Sequence, residues 1–185
     1  MCQNYQNMAK HPAIFLDRDG TIIEDNGYIN KTSDVFFYPH AFKALEILQK
    51  QFLLFIITNQ SGISKGLISE WEVQGVNKYI TETLKSKGIA IFDTFSCPHK
   101  NEDNCICKKP KPYFIKKAAQ MYNVDLTRSF IIGDHPSDVE CGITAGVTPI
   151  YLLSGHGNKH KDELIINTKI CNNLSDASKF IVSTI

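Results

Sequence analysis

The sequence feature that most constrains the fold is an unbroken apolar run, Phe52–Ile57, followed at once by polar residues. Such a run is typical of a β-strand covered on both faces, because a strand with one face in water alternates apolar and polar residues. The shorter run Ala13–Leu16 has the same character and also ends in polar residues. Strands of this kind occur mainly in parallel sheets with helices on both faces, so an α/β fold is predicted.

Helical patterns separate the apolar runs. The helix predicted over 69–87 has the clearest limits, because Ser69 with Glu72 three positions later is an N-terminal capping signal and Gly88 follows the last turn. Trp71, in its first turn, is expected to pack against the core. The other predicted helices cover 39–48, 112–122, 137–145 and 175–183, and the other predicted strands cover 89–95, 129–133 and 148–153. This alternation predicts a three-layer, Rossmann-like fold with a mainly parallel sheet.

Length and charge limit the classes of protein to consider. The chain fits one domain, 1–185, with residues 1–11 predicted to be poorly ordered. Twenty basic and nineteen acidic side chains give no positive excess, which argues against a nucleic-acid partner. We find no signal-peptide pattern and no apolar stretch long enough to cross a membrane, so a cytoplasmic protein without a membrane partner is expected. No motif reports the oligomeric state, for which a monomer is the favoured expectation.

Polar clusters follow three of the predicted strands, and a lysine lies in the loop after another. They are Asp17 with Asp19, Thr58 with Asn59, Asp134 with Asp138, and Lys109. Because the carboxyl ends of parallel strands meet at one edge of a sheet, these side chains are expected to converge. Phosphoryl transfer to a carboxylate needs such a set: a nucleophile, an acid for the leaving group, phosphate donors and a divalent metal. Each cluster taken alone also fits an ordinary turn.

These motifs resemble those of the haloacid dehalogenase-like (HAD) phosphatases over most of residues 12–157. The matching residues are Asp17-Arg18-Asp19-Gly20-Thr21 for the first motif, Thr58-Asn59 for the second, Lys109 for the third, and Gly133-Asp134 with Asp138 for the fourth. The resemblance implies a HAD-like α/β fold with a minimal cap, since the chain has no sizeable cap insertion. It also implies a phosphomonoesterase that uses Mg²⁺.

The same resemblance implies roles for individual residues. Asp17 would form an aspartyl-phosphate, and Asp19 would protonate the leaving alcohol and then activate water. The phosphoryl group would be held by Thr58, Asn59 and Lys109. Mg²⁺ would be bound by the Asp17 carboxylate, the Asp19 backbone carbonyl and Asp134, within an octahedral oxygen shell. For Asp138 two roles stay open: support of the metal site, or capping of the following helix.

A cysteine-rich loop, 97–107, precedes Lys109. Cys97, His99, Cys105 and Cys107 supply three thiolates and one imidazole, which is the ligand set of a closed tetrahedral zinc site. Because protein would fill all four positions, this zinc is expected to be structural and to fix the place of Lys109. The alternative is a loop of free thiols, or one disulfide with His99 in solvent. Cys2, Cys141 and Cys171 stand alone and are expected to be ordinary thiols.

The zinc loop is similar to that of the HAD branch containing the D-glycero-D-manno-heptose 1,7-bisphosphate 7-phosphatases and the histidinol-phosphate phosphatases. Removal of the 7-phosphate of the heptose bisphosphate is the favoured activity, and histidinol phosphate or another small sugar phosphate is the alternative. Three residues depart from the heptose enzymes. Lys108 beside the third-motif lysine and Lys65 each replace an arginine, and His135 stands where a lysine is common. Lys108 therefore lacks the bidentate fork of arginine, although it remains a candidate substrate-binding residue.

Other functional classes are less well supported. A zinc-stabilised binding protein that has lost catalysis would have no need to keep Asp17, Asp19 and Asp134 together. A mutase or dehalogenase is less consistent with Asp19, the acid/base that a phosphatase uses. The cysteine–histidine spacing lacks the long, helix-bearing gap of a DNA-binding zinc finger. The sequence leaves the roles of His135 and His156 open.

Overall fold

The computed structural model describes residues 9–164 and 168–184. Six strands form one sheet in the order β3-β2-β1-β4-β5-β6, and every pairing is parallel. The strands are β1 (Ala13–Leu16), β2 (Leu53–Asn59), β3 (Ile91–Cys97), β4 (Phe130–Gly133), β5 (Thr148–Leu152) and β6 (Lys169–Cys171). The α/β class predicted from the apolar runs is confirmed.

Helices cover both faces of this sheet. They are α1 (Ala41–Leu48), α2 (Glu70–Ser86), α3 (Tyr113–Tyr122), α4 (Pro136–Ala145), α5 (Gly157–His160) and α6 (Leu174–Ser183). Buried residues of α1, α2 and α6 form one apolar core with the sheet, and buried residues of α3 and α4 form the second. Strand β1 is buried along its whole length because it lies between the two cores. The predicted three-layer arrangement is therefore present.

Helix α2 begins with the predicted capping box, but Trp71 in its first turn does not pack as predicted. The Ser69 side chain accepts from the Glu72 backbone N–H, and the Glu72 side chain accepts from the Ser69 backbone N–H. The expectation that Trp71 packs in the core was wrong, because it is 80% exposed. The helix buries the stripe that begins at Val73, and a residue two positions away lies about 200° around the helix.

The short elements near the chain ends escaped prediction. Strand β6 and the single-turn helix α5 have too few residues to show a period. Of the segment 1–11, residues 1–8, including Cys2, lie outside the described residues. His11 at its end is hydrogen-bonded through its backbone to Asn123 at 3.0 Å and to Asp125 at 2.8 Å.

Candidate active site

Two aspartates mark the point where the strand order of the sheet reverses. Asp17 directly follows β1 and Asp134 directly follows β4, and these two strands are neighbours. The chain runs outward from β1 to β2 and β3 on one side and from β4 to β5 and β6 on the other. The loops after such a pair of strands part and leave a crevice at the carboxyl edge. A cleft of about 650 Å³ lies there, and its walls include Asp17, Asp19 and Asp134.

Lys109 is the cation at the centre of this cleft. It is 5% exposed, and its ammonium lies 2.6 Å from a carboxylate oxygen of Asp17 and 2.6 Å from one of Asp138. It also donates to the backbone carbonyl of Ile57 at 3.0 Å. Burial by itself would lower the pKa of Lys109, but Asp138 and Asp17 outweigh it and raise the pKa. Lys109 is therefore held in its charged form between two carboxylates.

Asp138 caps the following helix, which is one of the two roles that the sequence left open for it. Its side chain caps α4 by accepting from the backbone N–H of His135 at 3.1 Å, and it also pairs with Lys109. The His135 ring in turn accepts from the backbone N–H of Ser137 at 3.2 Å. The first turn of α4 is thus fixed to the cleft by a reciprocal cap and an ion pair.

The acidic groups of the cleft fit a divalent cation. Carboxylate oxygens of Asp17, Asp134 and Asp138 lie within 4.8 Å of one another. Burial, followed by the neighbouring charges of Asp17 and Asp138, raises the pKa of Asp134 to about 8. Lys109 pairs with both Asp17 and Asp138, so these two carboxylates share one positive charge. A bound Mg²⁺ would balance the remaining charge, and oxygen ligands are those it prefers.

The Asp19 carboxylate is held by hydrogen bonds from the side chains of Arg18 and Gln60. The guanidinium of Arg18 donates to the Asp19 carboxylate through Nε at 3.1 Å and Nη2 at 3.0 Å, and Gln60 donates to it at 2.9 Å. The Thr58 hydroxyl lies 3.5 Å from the same carboxylate and accepts from the Gln60 amide at 2.8 Å. Burial raises the pKa of Asp19, whereas the charge of Arg18 opposes that rise.

Asn59 and Lys108 lie in the cleft, but their polar groups are already engaged. The Asn59 amide accepts from the Lys109 backbone N–H at 3.0 Å and donates to the Lys109 carbonyl at 3.2 Å. The Lys108 ammonium donates to the backbone carbonyl of His99 at 3.3 Å. In this arrangement the Asn59 side chain fixes the backbone of Lys109, and Lys108 is linked to the cysteine-rich loop.

The four predicted zinc ligands converge. Sulfur atoms of Cys97, Cys105 and Cys107 lie 3.1 to 3.7 Å apart, and the Nδ1 atom of His99 lies 3.6 Å from Cys97 and 3.4 Å from Cys107. A tetrahedral site with zinc–sulfur bonds of about 2.3 Å has sulfur–sulfur edges of about 3.8 Å. The donor set and its spacing therefore fit zinc. The cysteines of the described residues form no disulfide.

Several groups at the site were not found by sequence reasoning. Gln60 and Arg18 hold Asp19, and the backbone N–H of His156 donates to the Asp134 carboxylate at 2.7 Å. The His156 ring pairs with Asp25 at 3.0 Å. Gln60 and Arg18 adjoin motif residues, so their positions in the sequence were a signal. The His156 contact depends on how the loop after β5 folds over β4, which no local pattern reports.

A family model described as HAD-hydrolase-like matches residues 106–177. The chain is 35% identical over 179 residues to D-glycero-alpha-D-manno-heptose-1,7-bisphosphate 7-phosphatase of Photorhabdus laumondii, covering 90% of this chain and 94% of that protein. It is 38% identical over 149 residues to D-glycero-beta-D-manno-heptose-1,7-bisphosphate 7-phosphatase of Helicobacter pylori, covering 80% and 86% of the two chains. The similarity therefore extends over nearly whole proteins of similar length.

Solved structures agree with the sequence comparison. The D,D-heptose 1,7-bisphosphate phosphatase of B. bronchiseptica, solved with magnesium and phosphate, superimposes with a TM-score of 0.87 at 26% identity, covering 94% of this chain and 99% of that one. A heptose bisphosphate phosphatase of Burkholderia thailandensis has a TM-score of 0.71 at 22% identity, which supports the fold. No helix in the described part of the chain could span a membrane. By its sequence relatives and its fold, the chain belongs to the haloacid dehalogenase-like phosphatases, and it is a phosphoric monoester hydrolase.

Proposed function

We propose that this phosphatase uses Mg²⁺ to remove the 7-phosphate of D-glycero-D-manno-heptose 1,7-bisphosphate through an aspartyl-phosphate on Asp17. The observation that carries this proposal is the ion pair of 2.6 Å between Lys109 and Asp17 at the carboxyl edge of the sheet. It sets a carboxylate nucleophile beside a cation that can also bind the incoming phosphate. The two relatives named above are heptose bisphosphate phosphatases, and their similarity to this chain extends over most of their length. They support the proposed substrate.

In the proposed first step a carboxylate oxygen of Asp17 attacks the phosphorus atom, and the bond to the leaving oxygen breaks. Burial raises the pKa of Asp17, while Lys109 opposes that rise and favours the ionised form that the attack requires. Bound Mg²⁺ would supply further positive charge for the phosphate oxygens. The side chain of Lys109 would hold one of those oxygens, and Asn59 would keep the backbone of Lys109 in place.

Asp19 is the proposed acid and base. It would give its proton to the departing sugar oxygen and then take a proton from the water that attacks the aspartyl-phosphate, so the enzyme returns to its starting state. Thr58, whose hydroxyl lies 3.5 Å from Asp19, would hold a phosphoryl oxygen. The carboxyl group of Asp19 is supported by Arg18 and Gln60 and lies on the wall of the cleft, where a substrate oxygen could reach it.

Lysine side chains line the cleft beside the phosphoryl-transfer residues. Lys65, Lys100 and Lys108 contribute to its walls. Their ammonium groups are candidate partners for a second phosphate. We also propose that the protein works in the cytoplasm, where thiols stay reduced and available to zinc.

The test is phosphate release with Mg²⁺ from the heptose bisphosphate, the heptose 1-phosphate, histidinol phosphate and a panel of sugar monophosphates. We expect the highest kcat/KM for the bisphosphate, with only the 7-phosphate removed. Asp17→Asn, which keeps the shape of the side chain, should abolish turnover, and a beryllium fluoride adduct should form on Asp17 of the unmodified protein. A higher kcat/KM for histidinol phosphate than for the heptose bisphosphate would overturn the proposed substrate assignment. Turnover that persists in Asp17→Asn would overturn the assignment of Asp17 as the nucleophile.

A further inference from the structure

Arg18 is the largest fully buried side chain in the described part of the chain, with an exposure of 0%. Arginine is rarely buried in this way unless its guanidinium group is ion-paired or hydrogen-bonded, because removing the charge from water is costly. One edge of the guanidinium meets Asp19 through Nε and Nη2. The neighbours on its other edge therefore help to fix the guanidinium group that contacts Asp19.

The other edge of Arg18 is braced by two elements that do not touch the substrate cleft. Nη1 of Arg18 donates to the Asn77 side-chain oxygen on α2 at 2.8 Å. The Asn77 amide then donates to the Ser96 hydroxyl on β3 at 2.8 Å. Neither Asn77 nor Ser96 lines the cleft that holds Asp17 and Asp19. A chain of hydrogen bonds thus connects strand β3 and helix α2, through Arg18, to the carboxylate of Asp19.

The backbone adds to this arrangement. The carbonyl of Arg18 accepts from the backbone N–H groups of Ile22 at 3.0 Å and Ile23 at 3.2 Å, which closes the turn after β1. That turn brings the side chains of Arg18 and Asp19 to the same side, so the guanidinium fork can meet both carboxylate oxygens. Rotation of Asp19 would break several hydrogen bonds at once.

We infer that Arg18, braced by Asn77 and Ser96, is the positioning residue for Asp19, and that Asn77 on α2 acts on the proton-transfer step although it lies outside the cleft. The inference rests on the proposed function, in which Asp19 is the acid. A displacement of about 1 Å in a catalytic group can cost about 100-fold in rate. Loss of the hydrogen bond between Asn77 and Arg18 should therefore lower the rate measurably. Asn77 is the better position to alter, since it is only half-buried and substitution there leaves the buried arginine in place.

Three variants distinguish a loss of Asp19 positioning from a general disturbance of the structure around α2. Asn77→Leu removes the acceptor for Arg18 and introduces a good helix former, so α2 itself is not weakened. Asn77→Asp keeps an acceptor for Arg18 and lets the Ser96 hydroxyl donate instead. Gln74→Leu is the matched control, because Gln74 lies one turn away on α2, borders the same small surface cavity as Asn77 and Ser96, and bonds to Glu70 rather than to Arg18.

The readout is the dependence on the leaving group. An alkyl phosphate needs its departing oxygen protonated, whereas 4-nitrophenyl phosphate leaves readily without an acid, and kcat/KM reports the steps up to cleavage of that bond. For Asn77→Leu we expect kcat/KM to fall at least about tenfold on the sugar phosphate and less than about threefold on 4-nitrophenyl phosphate. Asn77→Asp and Gln74→Leu should stay within about twofold of the unmodified protein on both esters.

Equal losses on both esters in Asn77→Leu, or the same loss in Gln74→Leu, would overturn the inference. Crystal structures provide a second test that does not depend on turnover: the Asp19 carboxylate should leave its place beside Gln60 in Asn77→Leu and keep it in Gln74→Leu. An unmoved Asp19 would overturn the positioning role even in a fully active enzyme. By contrast, an unmodified protein that hydrolyses neither ester would overturn the proposed function, while the structures would still decide the positioning role.

Discussion

The Lys109 ammonium lies 2.6 Å from the carboxylate of Asp17, although 91 residues separate the two positions in the chain. This contact joins the turn after β1 to the end of the cysteine-rich loop. Lys109 in turn pairs with Asp138 at the start of α4. Three separate segments of the chain therefore depend on one buried cation.

Replacement of Lys109 by methionine should remove most of the activity. The substitution keeps the length of the side chain but leaves Asp17 and Asp138 as buried carboxylates without their shared partner, which typically costs about 3–5 kcal/mol. We expect kcat to fall by at least about 100-fold, measured as phosphate release. Lys116→Met, an exposed lysine of α3, is the matched control. Near-normal turnover in Lys109→Met would contradict the role given to this residue.

Loss of one zinc ligand should release the metal and disturb Lys109. Cys107→Ser removes one of the four donors, and the last ligand is only two residues from Lys109. Metal analysis should find one zinc per chain in the unmodified protein and much less in the variant, with a lower melting temperature. Cys141→Ser alters a buried cysteine outside the cluster and should retain zinc. Equal zinc content in both variants would argue against the site.

Gly20→Ala should inactivate the enzyme. The residue has φ of +75°, and an added Cβ would overlap the carboxylate of Asp134. Gly27→Ala separates the two causes, because Gly27 has φ of +83° with no atom within 4 Å of an added Cβ. Both variants should lose about 1 kcal/mol of stability from backbone strain. Only Gly20→Ala should also lose Mg²⁺-dependent turnover, by at least about 100-fold.

The metal-free protein should become less stable as the pH rises from about 4 to about 8. Burial and the charges of Asp17 and Asp138 raise the pKa of Asp134 from its usual 3.8 to about 8. Between those values the folded state binds more protons than the unfolded state, so unfolding becomes easier with increasing pH, by at most about 1.4 kcal/mol per pH unit. Mg²⁺ bound at this carboxylate would replace the proton, so its stabilising effect should be larger at pH 8 than at pH 5.

Thermal unfolding with EDTA-washed protein, with and without added Mg²⁺, measures this dependence. Asp134→Asn is the control, since it cannot titrate and should flatten the change of melting temperature with pH. A metal-free protein that becomes more stable toward pH 8 would show that the carboxylates are ionised without a cation.

The sequence alone determined the fold class and the strand-end motifs, and it predicted four zinc ligands that the structure brings together. These are local properties: the run Phe52–Ile57 has the composition of a strand covered on both faces, and Cys97, His99, Cys105 and Cys107 lie within one short loop. Their chemistry can be predicted from neighbours along the chain. The relatives and the fold confirm the reaction class that those motifs predicted.

The tertiary structure alone decided which groups hold the site in place. Asn59 binds the backbone of Lys109, Asn77 braces Arg18, and Asp138 both caps α4 and pairs with Lys109. Partners so far apart in the chain leave no periodic signal. Trp71 illustrates the same limit, because helical spacing defines the faces of α2 but does not say which of them meets another element. Packing of the helices on the sheet decides that, and the packing depends on the whole chain.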